Sequence, residues 1–256
     1  MTTTSTSWFA HIRPRLGAQL RLFCFPYAGG GASIFRTWWE DLPPQVEIYP
    51  IQPPGRENRL AEPPFVELPA LVQALVDAIR PHLTMPFAFF GHSLGALVSF
   101  EVARTLWHNE ALQPVQMFVS GCVGPCVAKR EPPFIHTLPD AEFVDVLRQL
   151  NGTPEKVLQH PELMQLMLPV LRADFAMRET YAYRDGKPLD SPISAFGGTR
   201  DKLIPRAGLE RWQQETKGPF TLRMIPGDHF FLHSAHTTLM QILSHELLRV
   251  LPSHQG

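Results

Sequence analysis

The chain has 256 residues, enough for one α/β domain with an insertion or for two small domains, and no shift in composition marks a linker between halves. Its 23 basic and 24 acidic residues leave a formal net charge of -1 with no run of like charge, which argues against a general nucleic-acid surface. Three cysteines, Cys24, Cys122 and Cys126, suit a reducing compartment better than a disulfide framework, and Cys122 and Cys126 lack the second pair or the histidine spacing of a zinc site. Residues 1–7 are a Thr/Ser stretch expected to trail in solvent rather than to act as a secretory signal. The apolar stretches elsewhere are of strand length, short of the ~20 residues a membrane helix needs, so no membrane association is expected and the compartment is cytoplasmic.

Taken in chain order, strand-length apolar runs alternate with segments of helical period. A strand at 21–25 precedes a helix at 34–41; a strand at 46–52 precedes a helix at 68–83; a strand at 87–90 precedes a helix at 94–108. Strands follow at 115–122, 193–197 and 220–225, the last two separated by a helix at 206–216, and a helix at 237–251 closes the chain. Such alternation implies right-handed crossovers and a mostly parallel sheet covered on both faces. Between residues 123 and 184 the alternation stops. A proline-rich entry with Pro125, Pro132, Pro133 and Pro139 leads into helices at 141–150 and 163–183. This reads as a helical lid over a site, with ordinary surface helices as the plainer alternative. The load of Leu163, Met164, Leu166, Met167, Leu168, Val170, Leu171, Phe175 and Met177 exceeds what one helix face would bury, and methionine's adaptable shape suits the lining of a channel for chains of varied shape.

Chemistry is concentrated just beyond the strands. Gly91-His92-Ser93-Leu94-Gly95 follows the run Phe87-Ala88-Phe89-Phe90 and opens a helix, the setting of a nucleophile elbow, where a serine is held at a sharp turn within reach of a base. A serine nucleophile needs a histidine base, and that histidine needs a carboxylate to orient it. Gly197-Gly198-Thr199-Arg200-Asp201 and Pro226-Gly227-Asp228-His229-Phe230-Phe231 each follow a strand, and they supply the acid Asp201 and the base His229 in the order serine, acid, histidine. Asp228 is a rival acid, although a sequence neighbour rarely folds back on its own imidazole. His92 reads as packing, because an elbow projects only its central residue. An oxyanion hole needs two backbone N–H donors. Leu94 supplies the first. Ala28 is the expected second, on the loop Pro26-Tyr27-Ala28-Gly29-Gly30-Gly31. A phosphate-binding reading of that loop is weak, since neither GxGxxG nor GxxxxGK[ST] spacing is present.

With these motifs assembled, the chain resembles the type II thioesterases that accompany polyketide and nonribosomal peptide synthetases, relatives of the medium-chain thioesterase of animal fatty acid synthesis. The resemblance covers nearly the whole length. It is carried by Phe25-Pro26-Tyr27-Ala28-Gly29-Gly30, Gln52-Pro53-Pro54-Gly55-Arg56-Glu57-Asn58-Arg59, Gly91-His92-Ser93-Leu94-Gly95-Ala96, Gly198-Thr199-Arg200-Asp201 and Gly227-Asp228-His229-Phe230-Phe231. The second stretch discriminates most, and its double proline departs from the single proline common in the family.

The resemblance implies an α/β-hydrolase fold in a single domain over 1–256, with a lid insertion at about 123–184. It also implies a Ser93, Asp201, His229 triad with Ala28 and Leu94 as oxyanion donors, and no metal or cofactor. The implied substrate is an acyl group on the phosphopantetheine arm of an acyl or peptidyl carrier protein, cleared from stalled or wrongly primed synthases; the chain itself is expected to be a monomer. Lys129, Arg130, Arg200 and Lys202 are candidate contacts to an acidic carrier. Hydrolysis of acyl-coenzyme A, a small-ester carboxylesterase and a non-catalytic ligand-binding module are the alternatives.

Overall fold

A computed structural model describes residues 8–127, 132–153 and 155–251. In chain order its elements are β1 (Leu20–Phe25), a 3-10 turn (Ala32–Phe35), α1 (Trp38–Asp41), β2 (Val46–Pro50), α2 (Leu68–Ile79), β3 (Phe87–His92), α3 (Leu94–Glu110) and β4 (Gln116–Ser120). They continue with α4 (Asp140–Leu150), α5 (Glu155–Leu158), α6 (Pro161–Glu179), β5 (Ile193–Gly198), α7 (Arg206–Glu210), β6 (Phe220–Ile225), α8 (Phe231–Ser234) and α9 (His236–Val250). The strands form one sheet in the order β2-β1-β3-β4-β5-β6, every neighbouring pair parallel.

Alternate side chains along a strand face opposite sides of a sheet, and both sides here are covered. Phe23, Phe25, Phe89, Met117 and Val119 meet Leu71, Leu75, Leu97 and Phe100 of α2 and α3 in one core. Leu22, Cys24, Ile48, Phe90 and Phe118 meet Trp38, Leu239, Leu243 and Leu247 of α1 and α9 in the other. Burial on both faces is why β1, β3 and β4 read as nearly unbroken apolar runs, whereas the edge strand β6 alternates half-buried and exposed residues.

Two expected helices are shorter and tighter than their sequence pattern. The stretch 34–41 is a 3-10 turn followed by the four residues of α1, and 206–216 is α7 followed by a 3-10 helix, Arg211–Glu215. In each the buried anchors lie three apart, Phe35 with Trp38 and Leu209 with Trp212. That spacing suits a 3-10 turn, in which positions i and i+3 eclipse, as well as an α-helix.

The segment between β4 and β5 is helical, as expected. Phe143, Leu147, Leu158, Met164, Leu171 and Phe175 form a small core of its own. Most of the apolar load read as channel lining is spent there, while Leu163 and Leu166 face outward at 42% and 53% exposure. The short α5 escaped the sequence pattern, and α6 stops at Glu179 rather than 183. Among the described residues no helix is long and apolar enough to cross a membrane.

The topology also fixes where a ligand can approach. β1 carries β2 on one side and β3 on the other, so the loops leaving β1 and β3 diverge and open a crevice at the carboxyl ends of the strands.

Candidate active site

Ser93 stands in that crevice, between β3 and α3, with φ 53° and ψ −116°. A non-glycine residue enters this region at a cost of order 1–3 kcal/mol, so the surroundings must enforce it. Its N–H donates to the Ser120 carbonyl at 2.7 Å and its carbonyl accepts from the Ala96 N–H at 3.1 Å. The flanking glycines are steric necessities. A Cβ on Gly91 would lie 2.3 Å from the Gly95 oxygen, and one on Gly95 would lie 2.2 Å from the Phe25 oxygen.

His229 arrives on the loop after β6. Its Nε2 is 3.2 Å from Ser93 Oγ and its Nδ1 is 2.7 Å from Asp201 Oδ2. The other carboxylate oxygen of Asp201 accepts the Leu203 and Ile204 N–H groups at 2.8 and 3.2 Å, which fixes the carboxylate within its own loop. The two loops are tied together by Arg200 N–H donating to the Gly227 carbonyl at 2.8 Å. Ser93 and His229 are buried, and the Asp201 side chain is shut off from solvent.

Asp228 is turned elsewhere, its Oδ1 accepting the Phe230 N–H at 2.9 Å, so the rival acid does not reach the imidazole. His92 is buried beneath the site, with Nδ1 2.9 Å from Ser120 Oγ and its ring centroid 5.2 Å from that of His229. Burial pushes its pKa well below the usual histidine range, with His229 and His233 adding to the effect, so its ring is neutral near pH 7. The same cause raises Tyr27, whose hydroxyl sits 3.0 Å from His233 Nε2.

The two candidate oxyanion amides lack a protein partner among the described residues. Leu94 opens α3, where the first N–H groups have no acceptor within the helix and the helix dipole favours negative charge. On the loop after β1, the Gly29 N–H donates to Asp174 Oδ2 at 2.7 Å and the Gly30 N–H to the Tyr27 carbonyl at 2.9 Å. Among the described residues, neither Ala28 nor Leu94 donates its N–H to a protein acceptor. No group of three or more His, Cys, Asp or Glu among the described residues is placed to hold a metal ion.

Sequence reasoning did not find Arg56 and Asp174 as part of this site. Arg56 donates to both carboxylate oxygens of Asp174, at 2.7 and 3.0 Å, in a buried pair beside the loop that carries Ala28. A signal existed. Asp174 is an acid on the helix face of Val170, Leu171 and Met177, all buried, and a polar residue on an apolar stripe is there for a reason.

Residues 20–247 match the family described as the thioesterase domain. The chain belongs to the thioesterase family. This thioesterase is 45% identical over 244 residues to the gramicidin S biosynthesis protein GrsT of Aneurinibacillus migulanus, with 95% of each chain covered. Among solved structures it is similar to the RedJ thioesterase of the prodiginine pathway in Streptomyces coelicolor, at 39% identity and TM-score 0.85, covering 91% of this chain and 88% of that one. It is also similar to BorB, a type II thioesterase from the borrelidin biosynthetic cluster, at 34% identity and TM-score 0.84, covering 92% and 95%. The fold is the α/β-hydrolase fold, and the enzyme stands with the type II thioesterases of polyketide and nonribosomal peptide biosynthesis.

Proposed function

We propose that Ser93, His229 and Asp201 are the catalytic triad of an editing thioesterase, acting on acyl groups carried by the phosphopantetheine arm of an acyl or peptidyl carrier protein. The observation that carries this reading is the single imidazole bridging Ser93 Oγ and Asp201 Oδ2, with partnerless amides at Leu94, next to the serine in the chain, and at Ala28 on the loop after β1. Ser93 Oγ attacks the thioester carbonyl carbon while His229 Nε2 takes its proton. The oxyanion that forms accepts hydrogen bonds from the Ala28 and Leu94 N–H groups. As the C–S bond breaks, His229 returns the proton to the departing thiol, leaving an acyl ester on Ser93. Water, deprotonated by the same nitrogen, then attacks that ester; the acyl–Oγ bond breaks, His229 Nε2 returns the proton to Ser93 Oγ, and the carboxylic acid is released. Asp201 holds the ring with Nδ1 protonated and balances the imidazolium. The chemistry uses side chains and backbone alone.

The family supports the carrier-bound substrate, because the relatives it matches come from gramicidin S biosynthesis, the borrelidin biosynthetic cluster and the prodiginine biosynthetic pathway. The chain acts as one domain, with α4 to α6 as its lid. It works as a monomer in the cytoplasm, where free thiols at Cys24, Cys122 and Cys126 are at home. Hydrolysis of matched acyl groups on a carrier protein, on coenzyme A and on an oxygen ester, by wild type and Ser93→Ala, tests the reading. Wild type favours the carrier thioester. Loss of the nucleophile lowers kcat by about 10⁶, the scale of the serine-protease precedent. A Ser93→Ala enzyme with a tenth of wild-type activity overturns the assignment, and a preference for the oxygen ester makes the protein a carboxylesterase.

A further inference from the structure

The loop after β1 carries amides with different fates. Those of Gly29 and Gly30 are consumed inside the protein, whereas that of Ala28 has no protein acceptor among the described residues. The acceptor for Gly29 comes from far along the chain. It is Oδ2 of Asp174, on the C-terminal half of α6, and the same oxygen accepts Arg56 Nη1 at 2.7 Å. Arg56 Nη1 also donates to the Gly30 carbonyl at 3.2 Å, and its Nε to the Pro54 carbonyl at 3.3 Å. One guanidinium and one carboxylate thus grip the loop at an N–H and a carbonyl on consecutive residues.

The contact is steric as well as polar. Gly29 has φ +77°, and a Cβ there would lie 2.6 Å from Leu171 Cδ2, one turn before Asp174 on the same helix. The face of α6 therefore presses on Gly29 and bonds to it. The peptide that bears the Gly29 N–H shares the Ala28 Cα with the peptide that bears the Ala28 N–H. Fixing the first restrains where the second points.

Stability alone does not account for the pair. Replacing a buried ion pair by apolar residues of like size is often neutral or stabilising, so a pair kept only for stability would be dispensable. What apolar replacements cannot do is accept the Gly29 N–H. We infer that Asp174, itself held by Arg56, is a positioning residue that sets the oxyanion loop, so that the Ala28 amide is aimed at the reacting carbonyl only while α6 is seated. The inference rests on the proposed role of Ala28 as an oxyanion donor and goes beyond it, by making the helical segment part of the catalytic geometry.

Single replacement of Asp174 strands a buried guanidinium and invites misfolding, so the test uses two double variants in one background. Arg56→Met with Asp174→Leu removes the charges and the acceptor. Arg56→Met with Asp174→Asn removes the charges and keeps an oxygen for Gly29. Both are checked for a cooperative thermal melt and assayed for kcat, KM and affinity for a trifluoromethyl ketone, which forms a tetrahedral oxyanion on Ser93. The leucine variant is expected to lose about 10²-fold in kcat and a similar factor in ketone affinity, with KM within about threefold of wild type, on the scale set by losing one oxyanion donor. The asparagine variant is expected to recover at least about tenfold of that loss. Equal kcat in the two variants, or a leucine variant as fast as wild type, overturns the inference while the thioesterase reading stands. A wild-type enzyme inactive on every thioester overturns that reading, and the inference with it.

Discussion

Asp201 and Asp228 lie on loops that touch, and both are within a few ångströms of the His229 backbone or ring, yet they have different work. Asp201 accepts from the imidazole at 2.7 Å, whereas Asp228 caps the Phe230 N–H of its own turn. Asp201→Asn therefore favours the wrong imidazole tautomer and is expected to lower kcat by about 10⁴, the protease precedent, while Asp228→Asn costs far less. A matched kinetic assay decides between them, and the reverse ranking would move the acid to Asp228. His92 sets a second expectation at this scale. Its ring is held neutral by burial, with His229 and His233 contributing, while the same residue in the unfolded chain titrates near ~6.5. Below that pH the unfolded state binds a proton that the folded state refuses, so stability falls as pH drops through ~6.5 and goes on falling until the depressed folded pKa is reached. His82 and His233, also lowered chiefly by burial, add to the same slope. Calorimetry across this range should show a shallower loss of Tm in His92→Gln than in wild type. Equal slopes would mean that His92 accepts its proton in place.

At the scale of elements, the C-terminal half of α6 belongs to the body of the enzyme and the N-terminal half does not. Val170, Asp174 and Met177 are buried against Gly55, Arg56 and the sheet-side core, whereas Leu163 and Leu166 are exposed and Met164 packs in the small core with Phe143 and Leu147. Pro169 lies between them and cannot donate to the carbonyl one turn back, which weakens the helix where its two halves meet. If α4 to α6 move to admit substrate, limited proteolysis should cut first within 132–168, and an acyl ligand should slow the cutting. Resistance throughout that stretch would leave fixed surface helices. This division was not legible in the sequence, where the apolar residues of 163–177 look alike whether they pack on one another or on the sheet. The elbow, the Asp201 loop and the His229 loop were legible, because each is a short pattern placed just after an apolar run, and topology brings such loops to one end of the sheet. The Arg56 and Asp174 pair was not, since its members are 118 residues apart and no local pattern links them. The splitting of the 34–41 and 206–216 helices was hidden for a simpler reason: anchors three apart serve both helix types.

At the scale of the whole molecule, the question is what the enzyme recognises beyond the acyl group. A carrier domain adds protein contacts outside the acyl site, whereas the nucleotide of coenzyme A brings phosphates whose desolvation must be offset by basic groups. The chain has a near-neutral balance, 23 basic against 24 acidic residues, and no phosphate-loop spacing in its glycine-rich stretch. Basic residues are nevertheless placed near the site. Arg200 and Lys202 flank Asp201 and are exposed, while Lys129 and Arg130 lie outside the described residues. On the proposed function, this pair of exposed cations beside Asp201 would meet an acidic carrier as its pantetheine arm enters, and contacts of that kind steer association more than they hold the complex. The enzyme is therefore expected to show a higher kcat/KM for an acyl-carrier than for the same acyl group on coenzyme A. The advantage should shrink as salt is raised, because exposed charges are screened over a Debye length of about 10 Å at 0.1 M ionic strength. Replacing Arg200 and Lys202 together by glutamine should remove part of the advantage at low salt and flatten its salt dependence, leaving turnover of a short pantetheine thioester little changed. Equal kcat/KM for the two acyl donors at low salt would show that the carrier surface is not read, and the protein would then be a general acyl-thioester hydrolase.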